Sequence, residues 1–60
     1  MNTKILEAIG HFIDTNYISK YEIEGYFGFA YLIVGGHKWH FYMDQEGELK
    51  IEKLELLIKN

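Results

Sequence analysis

Two turn signals, set between stretches of alternating apolar residues, constrain the fold of this 60-residue chain more than any other feature. The pair Gly35 and Gly36 predicts a two-residue β-hairpin turn, because such turns need positive φ at both central positions. Residues 44–47 (Asp-Gln-Glu-Gly) predict a type I turn followed by a glycine in the left-handed bulge position. The segments beside these turns are therefore predicted to be three antiparallel strands, over residues 26–34, 38–43 and 49–58.

Both turns place the apolar residues on a single sheet face. A turn at Gly35 and Gly36 sets Ala30 opposite Phe41, and the second turn sets Phe41 opposite Ile51. Because side chains alternate along a strand, these residues share one face. The predicted inner face comprises Ala30, Leu32, Val34, Trp39, Phe41, Met43, Leu49 and Ile51 and, beyond a β-bulge predicted at Lys53, also Leu54, Leu56 and Ile58. Agreement between two separate turn assignments supports the fold.

The N-terminal segment has the periodicity of an amphipathic helix over residues 3–16. Its apolar residues recur at a period near 3.6, at Ile5, Leu6, Ile9, Phe12 and Ile13. Thr3 or Asn2 is expected to cap the start of the helix, and Asn16 is expected to end it in the left-handed conformation. The helix stripe would cover the inner face.

Two segments admit a helical alternative. Residues 19–22 have the form of a capping box, but Gly25, Gly28 and a run of aromatic and β-branched residues follow, so a second helix is rejected. Residues 48–58 fit a helical stripe as well as a strand, and the strand is preferred. The predicted fold is α+β: one N-terminal amphipathic helix packed on a three-stranded antiparallel β-meander, with residues 1–60 forming a single domain.

The opposite side of the predicted sheet, the outer face, is more apolar than a solvated surface requires. It carries Phe29, Tyr31, Ile33, Lys38, His40, Tyr42, Lys50 and Glu52. One helix cannot cover both sides of a sheet, so this face is expected to stay open. It could bind a larger protein, pair with a second copy of the chain, or consist of aromatic residues that only support neighbouring strands.

Composition and motifs argue against several other functions. Six basic residues against nine acidic ones, a net charge of −3, argue against nucleic-acid binding, although aromatic residues on a sheet can stack on single-stranded bases. No apolar run reaches the roughly 20 residues of a membrane helix. His37 and His40 are three apart on a strand, so they point to opposite faces and cannot share a metal ion. No nucleophile elbow or phosphate loop is present. We therefore expect no enzymatic activity, no cofactor and a cytoplasmic location.

By elimination, the sequence predicts a small acidic protein-binding module that acts by steric occlusion of a larger protein. Its size, mild acidity and lack of catalytic motifs resemble those of inhibitory or regulatory proteins encoded by phages and other mobile elements. The alternative is a homodimeric assembly protein whose sheet faces pack together, and single-stranded nucleic-acid binding is disfavoured. The predicted contact residues are Phe29, Tyr31, Ile33, His40 and Tyr42. The predicted acidic rim consists of Asp44, Glu46, Glu48, Glu52 and Glu55.

Overall fold

A computed structural model describes residues 2–54 and has the α+β architecture predicted from the sequence. The elements are helix α1 (Thr3–Thr15) and strands β1 (Glu22–Gly25), β2 (Phe29–Val34), β3 (His37–Met43) and β4 (Leu49–Leu54). The strands form one antiparallel sheet in the order β1-β2-β3-β4. The prediction of three strands was therefore short by one, because β1 forms an additional edge strand.

Strand β1 arises where the sequence carries only one apolar residue between two acids. Ile23 lies between Glu22 and Glu24, and this short alternation pairs with β2 from Glu22↔Ile33 to Gly25↔Ala30. The chain reverses immediately afterwards, where the Tyr26 N–H donates to the Phe29 carbonyl over 2.8 Å. The prediction that a strand begins at Tyr26 was wrong, since that residue lies in the β1–β2 turn.

Helix α1 begins at an asparagine cap and ends in a Schellman motif. The Asn2 side chain accepts a hydrogen bond from the Lys4 N–H over 2.7 Å. At the other end, the Ile18 N–H donates to the Ile13 carbonyl and the Tyr17 N–H to the Asp14 carbonyl. The left-handed residue is Tyr17, with φ of 53°, and not Asn16 as predicted. The motif needs the positive φ one residue beyond the cap, and Asn16 occupies the cap itself.

Both predicted turns are confirmed by the backbone. Gly35 and Gly36 have φ of 56° and 83°, as a primed hairpin turn requires. Gly47 has φ of 80°, and its N–H donates to the Asp44 carbonyl over 3.1 Å. The resulting register sets Ala30 opposite Phe41 and Phe41 opposite Ile51, as the sequence predicted.

The predicted bulge at Lys53 is absent, because the β3–β4 ladder runs without interruption to Lys38↔Leu54. Lys53 therefore lies on the inner face, where its Nζ sits 5.5 Å from the centre of the Trp39 ring. A cation over an indole face is a favourable contact, so the lysine occupies a position predicted to be apolar. Leu54 consequently lies on the outer face. The predicted third strand is confirmed as far as Leu54, where β4 ends. Leu56 and Ile58 lie outside the described residues.

The core lies between α1 and the inner face. Ile5 and Ile9 of the helix are buried against Ala30, Leu32 and Phe41 of the sheet. Phe12 extends this contact, with its ring centre 5.4 Å from that of Trp39 and 5.6 Å from that of Phe41. The helix is thus confined to the inner side of the sheet, and the outer face is left to be described on its own.

Candidate functional site

A connected cluster of aromatic rings covers the centre of the outer face. Neighbouring ring centres lie 4.6–6.0 Å apart, and the Tyr26–Phe29 and His40–Tyr42 pairs are stacked. These separations fall within the range in which aromatic pairs attract each other. The cluster, called the aromatic cluster below, consists of Tyr26, Phe29, Tyr31, His40 and Tyr42.

The sheet register explains how the cluster assembles. Phe29 is opposite Tyr42 and Tyr31 is opposite His40 across the β2–β3 ladder. Successive residues on one face of a strand lie close enough for large rings to touch diagonally, which joins Phe29 to His40 at 5.5 Å. Four of the five predicted contact residues therefore form one continuous surface.

Charged side chains of the two edge strands, β1 and β4, border the cluster. Glu24 of β1 lies 3.9 Å from the Nζ of Lys38, and that ammonium group sits 4.8 Å from the centre of the Tyr31 ring. On the β4 side, the Nδ1 of His40 lies 3.8 Å from a carboxylate oxygen of Glu52. The cluster is thus an aromatic strip with one carboxylate on each flank.

Ile33, the fifth predicted contact residue, lies on the same face but outside the aromatic cluster. It sits opposite Glu22 in β1 and Lys38 in β3, and it is half-buried. It borders an open depression of about 380 Å³ that also involves Lys20 and Tyr21. The structure therefore places Ile33 at one end of the outer face.

The sequence analysis missed two aromatic residues in the β1–β2 turn. Tyr26 stacks on Phe29 with ring centres 4.8 Å apart and extends the aromatic cluster toward the end of the sheet. Phe27, at the tip of the turn, is fully exposed, with a relative accessibility of 100%. Their position between Gly25 and Gly28 was the available signal, because two glycines beside a pair of aromatics are typical of a turn.

The predicted acidic rim is divided between two places. Asp44 and Glu48 gather around Lys50, whose Nζ lies 3.8 Å and 3.6 Å from their carboxylate oxygens. Glu52 lies apart from them, beside His40. Glu46 is exposed on the β3–β4 turn, and Glu55 lies outside the described residues.

Asp44 acts mainly as the organising residue of the β3–β4 turn. Its Oδ1 accepts hydrogen bonds from the Glu48 and Glu46 N–H groups, each at 2.9 Å. The Glu48 N–H chiefly, together with the Glu46 N–H and the Lys50 charge, lowers the pKa of the Asp44 carboxyl. Asp44, Glu46 and Glu48 can bring one oxygen each within 4.8 Å of the others. The Asp44 carboxylate is already engaged, because its Oδ1 accepts two N–H groups and its Oδ2 lies 3.8 Å from the Lys50 Nζ.

The two strand histidines lie on opposite faces, as their spacing predicts. His37 contacts Trp39 on the inner face, with ring centres 6.0 Å apart, and His40 belongs to the aromatic cluster.

Over residues 2–54, no helix has the length and apolarity needed to cross a membrane. No protein-family model, no curated protein and no solved structure matches the chain.

Proposed function

We propose that the chain is a small, non-enzymatic protein-binding module that docks its outer face on a larger protein and acts by steric occlusion. The supporting observation is the aromatic cluster, five connected rings on a side of the sheet that no element within residues 2–54 covers. Tyrosine and phenylalanine are enriched in interface centres, because they combine a large contact area with few rotatable bonds.

The carboxylates beside the cluster support a partner surface that carries basic residues. Glu24 and Glu52 flank the rings, and the chain carries a net charge of −3. Ring faces and carboxylates together favour guanidinium and ammonium groups. The partner is therefore proposed to present an apolar centre bordered by arginine or lysine, and charge complementarity would speed the association.

A pair of matched tyrosine substitutions tests this proposal. Tyr31→Asp places a charge in the middle of the aromatic cluster, where it would have to be desolvated on docking. Tyr17→Asp makes the same chemical change at a residue that is 93% exposed, just beyond the end of α1, and that is not part of the aromatic cluster. Aspartate also tolerates the positive φ of that position. Both variants are expected to remain folded.

The measurement is affinity capture with wild type and both variants, followed by mapping of the captured protein's footprint by amide hydrogen exchange. We expect Tyr31→Asp to weaken binding at least about tenfold, as loss of a central interface residue does. Tyr17→Asp should bind as wild type does, and protection should fall on β2 and β3. A partner that binds both variants equally, or protects α1 instead, would refute the proposed face.

A further inference from the structure

The exposed edge of β4 carries a pattern that the opposite edge of the sheet lacks. Lys50 and Glu52 of β4 both lie on the outer face of the sheet. Ile51, between them, lies on the inner face and is 45% exposed although it is opposite the buried Phe41. Edge strands expose unpaired N–H and C=O groups that can pair with another strand. The charges on β4 determine which strand can pair with its edge.

The backbone groups directed away from β3 follow from the ladder. The Asp44 N–H donates to the Glu48 carbonyl, so Glu48 points its carbonyl toward β3. Hydrogen-bonding direction alternates along an antiparallel strand, and the same side is therefore used by Lys50 and Glu52. The N–H and C=O groups of Leu49, Ile51 and Lys53 point away from β3, toward the edge that no strand within residues 2–54 covers.

We propose that β4 pairs antiparallel with β4 of a second copy of the chain, with Ile51 opposite its own counterpart on a two-fold axis. In this register the outward groups of Leu49 meet those of Lys53 in the partner copy, and Ile51 meets Ile51. On the outer face, Lys50 of each copy then lies opposite Glu52 of the other copy. The arrangement is isologous, as a closed dimer requires.

Charge selects this register from its neighbours. Shifting the pairing by two residues in one direction sets Lys50 opposite Lys50, and in the other direction it sets Glu52 opposite Glu52. Like charges directly opposite each other destabilise a sheet, whereas opposite charges stabilise it. The central register is the one of the three that pairs each Lys50 with a Glu52 and brings the two exposed Ile51 side chains together.

The β1 edge provides an internal comparison. Its outer side carries Glu22 and Glu24, and Ile23 lies between them. Antiparallel self-pairing centred on Ile23 sets Glu22 opposite Glu24, and the neighbouring registers set Glu22 opposite Glu22 or Glu24 opposite Glu24. Each register places carboxylates against each other, so the acidic β1 edge resists pairing with itself while β4 favours it.

The interface is small, so the dimer should be concentration-dependent. Six residues of edge strand bury less than the about 1,200 Å² of a stable complex, and dissociation is expected in the micromolar-to-millimolar range. A two-fold axis perpendicular to the sheet would place both aromatic clusters on the same side of one continuous sheet. This inference uses the β4 edge, and its test does not depend on the proposed docking of the outer face.

Sedimentation equilibrium of wild type and three variants tests the pairing. Wild type should rise from the 7.1 kDa monomer toward twice that mass with concentration. Lys50→Glu and Glu52→Lys each place like charges opposite each other, so each alone should dimerise at least about tenfold more weakly. An equal mixture of the two variants restores opposite charges at both positions and should form a mixed dimer. Lys4→Glu, on the exposed side of α1, makes the same charge change and should leave the dimer unaffected.

Two further readouts keep the test informative. Circular dichroism of each variant establishes that it is folded before its mass is interpreted. In the wild-type dimer, the amide hydrogens of Leu49, Ile51 and Lys53 should gain protection from exchange. A wild-type monomer at millimolar concentration would overturn the proposal. A dimer that persists in both single variants would overturn it as well, because the pairing would then lie elsewhere on the chain.

Discussion

Strand β3 presents aromatic residues to both sides of the sheet, and the two sides have different consequences. On the inner face, Phe41 is fully buried under Phe12, Ile5 and Ile9. On the outer face, His40 and Tyr42 stack on each other with ring centres 4.6 Å apart but remain half-buried. Similar rings on one strand thus stabilise the fold on one side and form an accessible surface on the other.

The difference follows from what lies above each face. Helix α1, which is 13 residues long, covers the inner face and excludes water from its centre. The outer rings shield one another only partly, and their polar atoms stay close to solvent. Substitution of residues buried under the helix should therefore lower the free energy of unfolding strongly. Substitution of residues on the outer face should weaken binding more than it destabilises the fold.

The largest expected effect is that of Phe41→Ala. Removing a fully buried phenylalanine costs about 3–5 kcal/mol, through lost burial and the cavity that remains. A domain of this size has a free energy of unfolding on the order of 3–9 kcal/mol. The variant should be mostly unfolded or only marginally stable. Urea unfolding followed by the fluorescence of Trp39 measures this loss.

Phe29→Ala is the matched change on the outer face. Phe29 contacts Tyr26, Tyr31 and His40, so we expect a loss of about 1–2 kcal/mol from the ring contacts. The same urea titration applies. A loss as large as that of Phe41→Ala would break the distinction between the two faces, because it would mean that the outer face is packed as a second core.

Tyr17→Gly should sharpen the comparison by raising stability. Tyr17 holds a positive φ of 53° while its side chain is 93% exposed, so glycine removes backbone strain and loses almost no packing. We expect a gain of about 1 kcal/mol. In this background, variants of both faces could be compared while folded. No gain, measured by thermal unfolding, would contradict this expectation.

The smallest change in stability is expected from a substitution in the β3–β4 turn, which sets the register of those two strands. The lowered pKa of Asp44 means that its stabilising contribution is present above the unfolded-state pKa of about 3.9. This contribution is lost as the pH falls through the folded-state pKa. Asp44→Asn should therefore be less stable than wild type at neutral pH, and the difference should shrink below about pH 4. A difference that is constant with pH would contradict this role.

The sequence was sufficient for most of the sheet but not for its edges. Gly35, Gly36 and Gly47 impose positive φ, so the turns and the β2–β3–β4 register were predictable from local chemistry. Strand β1 was missed because one apolar residue, Ile23, gives a weak alternation signal. Its pairing depends on the neighbouring β2, which contributes hydrogen bonds that the local sequence does not encode.

The candidate site divides in the same way. Phe29, Tyr31, His40 and Tyr42 were predictable as one surface because they follow from the register. Tyr26 was not, since it joins the cluster only through the turn that β1 creates. The register sets His40 opposite Glu52, and the structure places their side-chain atoms 3.8 Å apart.

The sequence by itself determined the helix, the two glycine turns and the division of side chains between two faces, because these depend on backbone φ preferences and on periodicity. The tertiary structure alone decided the β1 edge and the uninterrupted ladder through Lys53. Both depend on contacts between residues that are distant in the sequence. At Lys53, the ring of Trp39 accepts the lysine on the inner face and removes the need for a bulge.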